Sequence, residues 1–467
     1  MTEQPATIAI DTGGTFTDIV LAVNGRAYVL KVASTPDDPA RAAIEGMQEI
    51  LQSVSRALAF SLSPALLIHG STVATNALLE RKGARVALIT NRGFEDVIEI
   101  GRQNRPELYA LSIRRPPPLV ERDLRVGISG RLDYRGVAIS ALDQAELDTL
   151  QALIKDADAV AICLLHSYAN AEHEKVVEAT LQRDGVAYIS RSSELLPEYR
   201  EYERTATTVV NAYVTPLMHG YLTRLQNDSG AAAVRIMGSG GGALPVARAR
   251  REPVHTVLSG PAGGVAGALS TAQAAGFENI ITFDMGGTST DVSLCPGRPL
   301  HTREFTIAGV PVAVPMLDIH TVGAGGGSQA WIDAAGALRV GPRSAGAFPG
   351  PISYGRGAQE VTVTDANVWL GRLPPSAFLG GHQILRRALI EAPLTGLARS
   401  LNQRLEKAAE GVLTVVNSTM AGAMRVISVE KGYDPADFTL VAFGGAAGLH
   451  AAELAESLSI PRVLIPP

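Results

Sequence analysis

Apolar and polar positions alternate along the chain in short blocks that switch between strand and helix periods. Residues 6–11, 16–23 and 26–32 read as three strands. Asn24-Gly25 between the last two predicts a two-residue hairpin, because both residues tolerate positive φ. Residues 39–58 follow with helical spacing. Strands are predicted over 65–69 and 85–90, around a helix over 72–81 that Gly83 stops. A strand over 158–165, a helix over 172–183 and a strand over 186–190 continue the alternation, which is the pattern of α/β layers.

A long helix is predicted over 198–226, kinked or broken at Pro216. A strand over 233–237 runs into a glycine turn, a glycine-rich helix covers 259–274, and a strand covers 279–284. Residues 300–373 are rich in Gly, Pro and Val and predict irregular or β structure. The chain then reads as helix over 406–431, strand over 438–443, helix over 447–458 and strand over 462–465.

The strongest signal is a repeat. Residues 11–18 read D-T-G-G-T-F-T-D and residues 284–291 read D-M-G-G-T-S-T-D, identical at six of eight positions. Each copy follows an apolar strand and precedes another, and each of those ends in a turn, Asn24-Gly25 or Pro296-Gly297. In each copy a strand ends in a carboxylate and turns through two glycines, whose backbone N–H groups can meet an anion with no Cβ in the way. Threonine hydroxyls can donate to phosphate oxygens. Aspartates repel phosphate unless Mg²⁺ bridges the two or they orient a nucleophile. Two such hairpins facing one another would clamp a triphosphate between two lobes.

This reading assigns Asp11 and Asp284 as metal- or water-orienting carboxylates and Thr15 and Thr288 as phosphate-contacting hydroxyls. Gly13, Gly14, Thr17, Gly286, Gly287 and Thr290 complete the two cradles. Asp18 and Asp291 lie across the turns, either behind the site or as caps. A third segment, V-A-F-G-G-A-A-G-L-H over 441–450, reads as strand, turn and helix start, and places adenosine against Gly444 and Gly445. Asp318 and His320, two positions apart beside Gly325 to Gly327, are candidates for metal or substrate or a structural pair. His69 and Thr72 at a strand end, and Arg102 with Asn104 and Arg105 in a polar loop, are substrate candidates, with capping or solvated-loop roles as the alternatives.

Composition narrows the classes. The chain has 467 residues, 46% hydrophobic and 19% charged, enough for two or three packed domains. Net charge is −5, with no basic run that would mark nucleic acid or membrane binding. Two cysteines, Cys163 and Cys295, sit in apolar stretches and read as buried thiols. The short polar start lacks a secretory pattern, and no stretch approaches the ~20 apolar residues of a membrane span, so a cytoplasmic location is expected.

Together with the repeat, H-G-S-T-V-A-T-N-A-L-L-E-R-K-G (69–83), L-S-G-P-A-G-G-V-A-G-A (258–268) and D-I-H-T-V-G-A-G-G-G-S (318–328) resemble the hydantoinase A / 5-oxoprolinase family along nearly the whole chain. The resemblance implies an α/β fold of duplicated actin-like ATPase (ribonuclease H-like) lobes with a nucleotide cleft between them. It implies Mg²⁺ and ATP as cofactors, a cyclic amide such as a hydantoin or 5-oxoproline as substrate, and an oligomeric assembly with a B-type partner subunit. Carboxylase subunits acting on ketones, and non-enzymatic ATP switches, are the alternatives within the same fold. The expected division is an N-terminal hydantoinase/oxoprolinase domain over 1–200 and an ATPase domain over 201–467. Family members usually continue past the adenosine segment, which usually reads F-G-G-A-G-P, so the end at Pro467 is expected to be a C-terminal truncation.

Overall fold

The computed structural model describes residues 4–466 apart from 14–15, 36–37, 105–108, 110, 113–115, 377 and 379–382. The chain divides into two compact units, Met1–Gly260 with Thr302–Met316 and Pro261–His301 with Leu317–Pro467. The expected division at residue 200 falls inside the first unit.

In the first unit, β1 (Gln4–Thr12), β2 (Phe16–Val23) and β3 (Arg26–Ala33) form an antiparallel meander. Asn24 and Gly25 take φ of 51° and 71°, the double left-handed turn that the sequence predicts. Helix α1 (Pro39–Leu58) starts with proline in its first turn, where a missing N–H is no loss, and ends at Ala59 in the left-handed region. Ala43, Met47, Ile50 and Val54 form its buried stripe. Gly46 lies in the helix interior because a Cβ there would stand 2.3 Å from Ile19 Cδ1. Strand β4 (Leu62–Ser71) pairs parallel to β1, and α2 (Val73–Leu79) leaves from its end.

The next strands build a second, parallel sheet: β5 (Val86–Asn91), β6 (Arg125–Ile128), β7 (Ala159–Cys163) and β8 (Ile189–Arg191), in the order β8-β7-β5-β6. Helix α3 (Glu201–Asp228) is assigned as one helix through Pro216 rather than broken there. The chain then returns to the first sheet with β9 (Ala233–Met237) and β10 (Ala243–Pro245), giving the order β10-β9-β4-β1-β2-β3.

In the second unit, β11 (Asn279–Met285), β12 (Thr290–Pro296) and β13 (Ile319–Val322) repeat the antiparallel meander. Ala262, Val265, Ala268, Leu269 and Ala272 of helix α4 (Ser259–Ala274) are buried with Ile280 and Val441 of this unit's sheet. A short helix, Val363–Trp369, interrupts the segment expected to be irregular or β. Its Thr362 and Asp365 form a reciprocal capping box. Helix α5 (Leu405–Ile427) follows, then β14 (Thr439–Phe443) parallel to β11, α6 (Ala451–Ser457), and β15 (Arg462–Leu464) parallel to β14. The strand order is β13-β12-β11-β14-β15.

The stretch Leu405–Lys431 is long and apolar enough to cross a membrane by length and composition. Val412, Leu413, Val416, Met420, Met424 and Ile427, however, form one stripe inside the second unit's core, the signature of a core helix.

The two orders are one topology: β3-β2-β1-β4-β9 and β13-β12-β11-β14-β15 have the same sequence of antiparallel and parallel neighbours, with a helix between the third and fourth strands. The repeated octapeptide marks a duplicated ribonuclease H-like α/β lobe.

Gly83 was expected to stop α2. The helix instead closes at Glu80, and Arg81 takes the left-handed conformation. A Cβ on Gly83 would stand 2.2 Å from the ring of buried Tyr213, so glycine is required there by packing. Gly83→Ala should lower stability by about 1–3 kcal/mol in urea denaturation, the cost of overpacking. A change of only a few tenths of a kcal/mol would return Gly83 to a helix-stop role.

Candidate functional site

Each lobe ends its first strand in an aspartate followed by a hairpin. In the first lobe, Asp11 pairs across to Asp18 and Thr12 to Thr17, and Gly13 N donates to Phe16 O at 3.0 Å. In the second, Asp284 pairs with Asp291, Met285 with Thr290, and Gly286 N donates to Ser289 O at 3.1 Å. Alternation along the strands buries Ile10 and Ile19, or Phe283 and Val292, on one face, and turns the four aspartates to the other.

The aspartates are packed against glycine. A Cβ on Gly70, at the end of β4, would stand 3.2 Å from Asp11 Oδ1, and one on Gly260 3.3 Å from the same oxygen. In the second lobe, Gly444 has φ +86°, and a Cβ there would stand 2.3 Å from Asp284 Oδ1. Gly264 lies 3.7 Å from Asp284 Oδ2 by the same measure. The second hairpin is also backed by the glycine run: Gly326 N donates to Gly286 O at 3.0 Å and Gly327 N to Gly287 O at 2.7 Å. A Cβ on Gly325 would meet the backbone of Gly287 and Thr288 at 2.7 Å. Ala446 N donates to Met285 O at 3.0 Å, so the turn through Gly444 and Gly445 also closes on the end of β11.

Asp11 has surface exposure, yet the protein packed around its carboxyl group raises its pKa, with Asp18 adding to the rise and Lys31 opposing it. Burial likewise raises Asp291, against a hydrogen bond from Thr321 Oγ1 at 2.5 Å.

The remaining candidates fall into different places. Gly14, Thr15 and Arg105 lie outside the described residues. Thr288 is exposed at the tip of the second hairpin. Thr17 and Thr290, the matching positions of the repeat, are fully buried. The Thr17 hydroxyl bonds Ser34 Oγ at 3.0 Å, and the Thr290 hydroxyl donates to Ala324 O at 2.5 Å, so both brace the hairpins from behind. Thr72 Oγ1 donates to Thr12 O at 3.1 Å and anchors the start of α2 to the first hairpin. Arg102 makes two hydrogen bonds to the Glu203 carboxylate at the start of α3, 2.7 Å through Nε. Asp318 is ion-paired with Lys431. His320 sits on β13 across from Val292, one register step from the Asp291–Thr321 row, and so belongs to the other face of the sheet. The structure does not gather Asp318 and His320 with Asp284. Among the described residues, no group of three or more His, Cys, Asp or Glu is placed to hold a metal ion.

His69 is fully buried beneath the first hairpin, with Nε2 hydrogen-bonded to the Tyr221 hydroxyl. Burial pushes its pKa down to about 4, so it is neutral at physiological pH. His450, after the adenosine segment, is buried too and pushed down to about 4, with Nδ1 2.7 Å from Asn417 Oδ1. Both are held inside the fold rather than presented at its surface.

Duplicated lobes of this topology, each carrying an aspartate and a glycine hairpin at the end of its first strand, define the actin-like ATPase class. Residues 7–185 match the Hydantoinase/oxoprolinase N-terminal region and residues 204–467 match Hydantoinase/oxoprolinase. The chain belongs to the hydantoinase/oxoprolinase family. It is 40% identical to the caprolactamase subunit alpha of Pseudomonas jessenii over 100% of this chain and 69% of that one. The crystal structure of the ATP-dependent caprolactamase from the same organism superposes with a TM-score of 0.88, at 39% identity, over 98% of this chain and 68% of that one. The 5-oxoprolinase 1 of Arabidopsis thaliana is 36% identical over 98% of this chain, which spans 40% of that protein. A nucleotide-free acetone carboxylase structure matches with a TM-score of 0.81, at 31% identity, over 98% of this chain and 68% of that one.

Sequence reasoning missed the glycines that contact the aspartates from a distance. Gly260 and Gly264 carried a local signal, since glycine inside a helix predicts close approach. Gly70 carried none.

Because His69 and His450 titrate near 4 when folded and near 6.5 when unfolded, the unfolded chain takes up protons first as pH falls. Their contribution is complete above about pH 6.5 and is lost toward pH 4, up to about 3 kcal/mol for each. His69→Asn should flatten the acid loss of stability between those values, read as urea midpoints of variant and wild type. Equal slopes would refute a neutral buried His69.

Proposed function

We propose that the chain is the A-type subunit of an ATP-dependent enzyme that hydrolyses a cyclic amide. The observation that carries this is the pairing of the duplicated Asp-Gly-Gly-Thr hairpin with chain-long similarity to an ATP-dependent caprolactamase and to 5-oxoprolinase. An amide carbonyl is a poor electrophile. Attack of its oxygen on the γ-phosphorus releases ADP and leaves an imidate phosphate whose carbon water can attack. The C–N bond then breaks as nitrogen takes a proton, leaving an acyl phosphate that a second water converts to carboxylate and phosphate.

In this scheme the hairpin N–H groups, Thr15 and Thr288 meet the phosphate oxygens, and Gly444 and Gly445 let adenosine approach the backbone. Asp11 and Asp284 would hold Mg²⁺. A carboxylate at a strand end beside a glycine hairpin, as each of them is, fits an ion that keeps most of its coordination for phosphate and water. Bound there, Mg²⁺ would neutralise the transferring phosphoryl charge. His69, Thr72 and Arg102 act through the fold, as anchors behind the first hairpin and the start of α3. A B-type subunit completes the catalytic complex, and the cytoplasm supplies its ATP.

ATP turnover by the chain with a B-type partner should rise on addition of caprolactam, 5-oxoproline, hydantoin or N-methylhydantoin, and no turnover under any combination refutes the proposal. Asp284→Asn should reduce turnover by about 100-fold or more, the scale of a lost electrostatic contact in phosphoryl transfer. The acetone carboxylase match supports a second reading, the ATP-using subunit of a ketone carboxylase. ATP hydrolysis that depends on bicarbonate and a ketone would select it.

A further inference from the structure

The two copies of the octapeptide differ at two positions, Thr12 against Met285 and Phe16 against Ser289. The second difference is matched by a third on the neighbouring strand. In the first lobe, Lys31 of β3 lies directly across from Asp18. Its Nζ stands 2.6 and 2.7 Å from the two carboxylate oxygens and 5.2 Å from the centre of the Phe16 ring. In the second lobe the same position is Thr321, across from Asp291, and no ring stands where Phe16 does. Phenylalanine in the hairpin thus accompanies lysine on the third strand, and serine accompanies threonine.

Residues directly across an antiparallel pair share a face. Asp11, Asp18 and Lys31 are therefore one row across three strands, two anions and one cation. Like charges directly opposite one another disfavour the sheet, and an unneutralised Asp18 would also repel any phosphate brought to the hairpin. The Lys31 and Asp18 side chains are 42% and 46% exposed, so their ion pair adds little to the stability of the fold. Its position, beside the hairpin and stacked on its phenylalanine, gives it another use.

We propose that Lys31 is a positioning residue of the first hairpin. By neutralising Asp18 it leaves Asp11 and the hairpin backbone fit to receive nucleotide phosphate, and it acts through Asp18 rather than by touching the nucleotide. The assignment rests on the nucleotide reading above.

The test is a double-mutant cycle on the full chain, with MgATP binding measured by calorimetry and kcat and KM for ATP measured with the partner subunit. Lys31→Met should weaken MgATP binding about tenfold or more and raise KM with a smaller change in kcat, a deficit that shrinks in high salt. Lys31→Arg should stay within about threefold of wild type, since the charge is kept. The combined Asp18→Asn and Lys31→Met variant should recover binding to within about threefold, because the uncompensated anion is gone. Thermal denaturation of each variant separates lost binding from lost folding. Unchanged binding in Lys31→Met, or a double variant as weak as Lys31→Met, overturns the assignment. Wild type that fails to bind MgATP overturns the nucleotide reading and the assignment with it.

Discussion

A carboxylate can stand at the end of the first strand of each lobe only where its neighbours have no side chains. A single methyl group at Gly444 would fall 2.3 Å from Asp284 Oδ1, and methyl groups at Gly70 and Gly260 would crowd Asp11 Oδ1. Real Cβ atoms do not approach oxygen at the first of those distances, so the fourth strand of the second lobe must be followed by glycine. Helix α4 also gives up a side chain at Gly264, where a Cβ would stand 2.9 Å from the Phe443 ring at the end of β14, although glycine weakens a helix interior. Gly70, Gly260 and Gly444 thus stand where they do because of where two aspartates have to be.

Once the carboxylates are fixed, the hairpins are held by groups that sequence alone would assign to the ligand. Thr17 and Thr290 occupy the same register position in the two lobes, and both hydroxyls are buried in bonds to the protein. They set the height of the turn over the sheet. A hydroxyl spent this way keeps the backbone N–H groups of the turn in a fixed direction, and preorganised donors are what phosphate transfer requires. Gly325 to Gly327 serve the second hairpin in the same manner, by stacking backbone on backbone. Under the proposed function, phosphate recognition falls to main chain, aspartate and the threonines Thr15 and Thr288, which fits a repeat that changes at Thr12 and Phe16 while its glycines, aspartates and those threonines are duplicated intact.

What could be read from sequence was what is local or repeated. Alternation gave the meanders, Asn24-Gly25 gave its turn, and the octapeptide gave the duplication before any strand order was known. Register was not legible. Asp318 and His320 share a strand face by their spacing, but that face is opposite the aspartates because of how β13 pairs with β12, a fact carried by residues about thirty positions earlier. Gly83 looked like a helix stop because its true neighbour, Tyr213, lies 130 positions away. Helix Val363–Trp369 was hidden in a Gly- and Pro-rich stretch, although Thr362 and Asp365 had the spacing of a capping box.

Burial and charge by themselves do not mark the site. Arg204 is fully buried and donates to Ser167 Oγ and Leu164 O, while buried Glu174 accepts from Leu164 N, Ser192 Oγ and Ser193 N. Arg204 ties the ends of β7 and β8 to α3 and Glu174 ties them to the helix Glu172–Arg183, and their hydrogen bonds turn inward, to backbone and hydroxyls of the fold. Asp11 and Asp284 differ in kind. They stand at strand ends, on the open side of a hairpin, with glycines packed against their carboxylates. A carboxylate that closes a strand beside a glycine hairpin, where a side chain on its neighbours would crowd it, is placed to share a cation with a phosphate, and an anion with its counterion is the chemistry that fits that position.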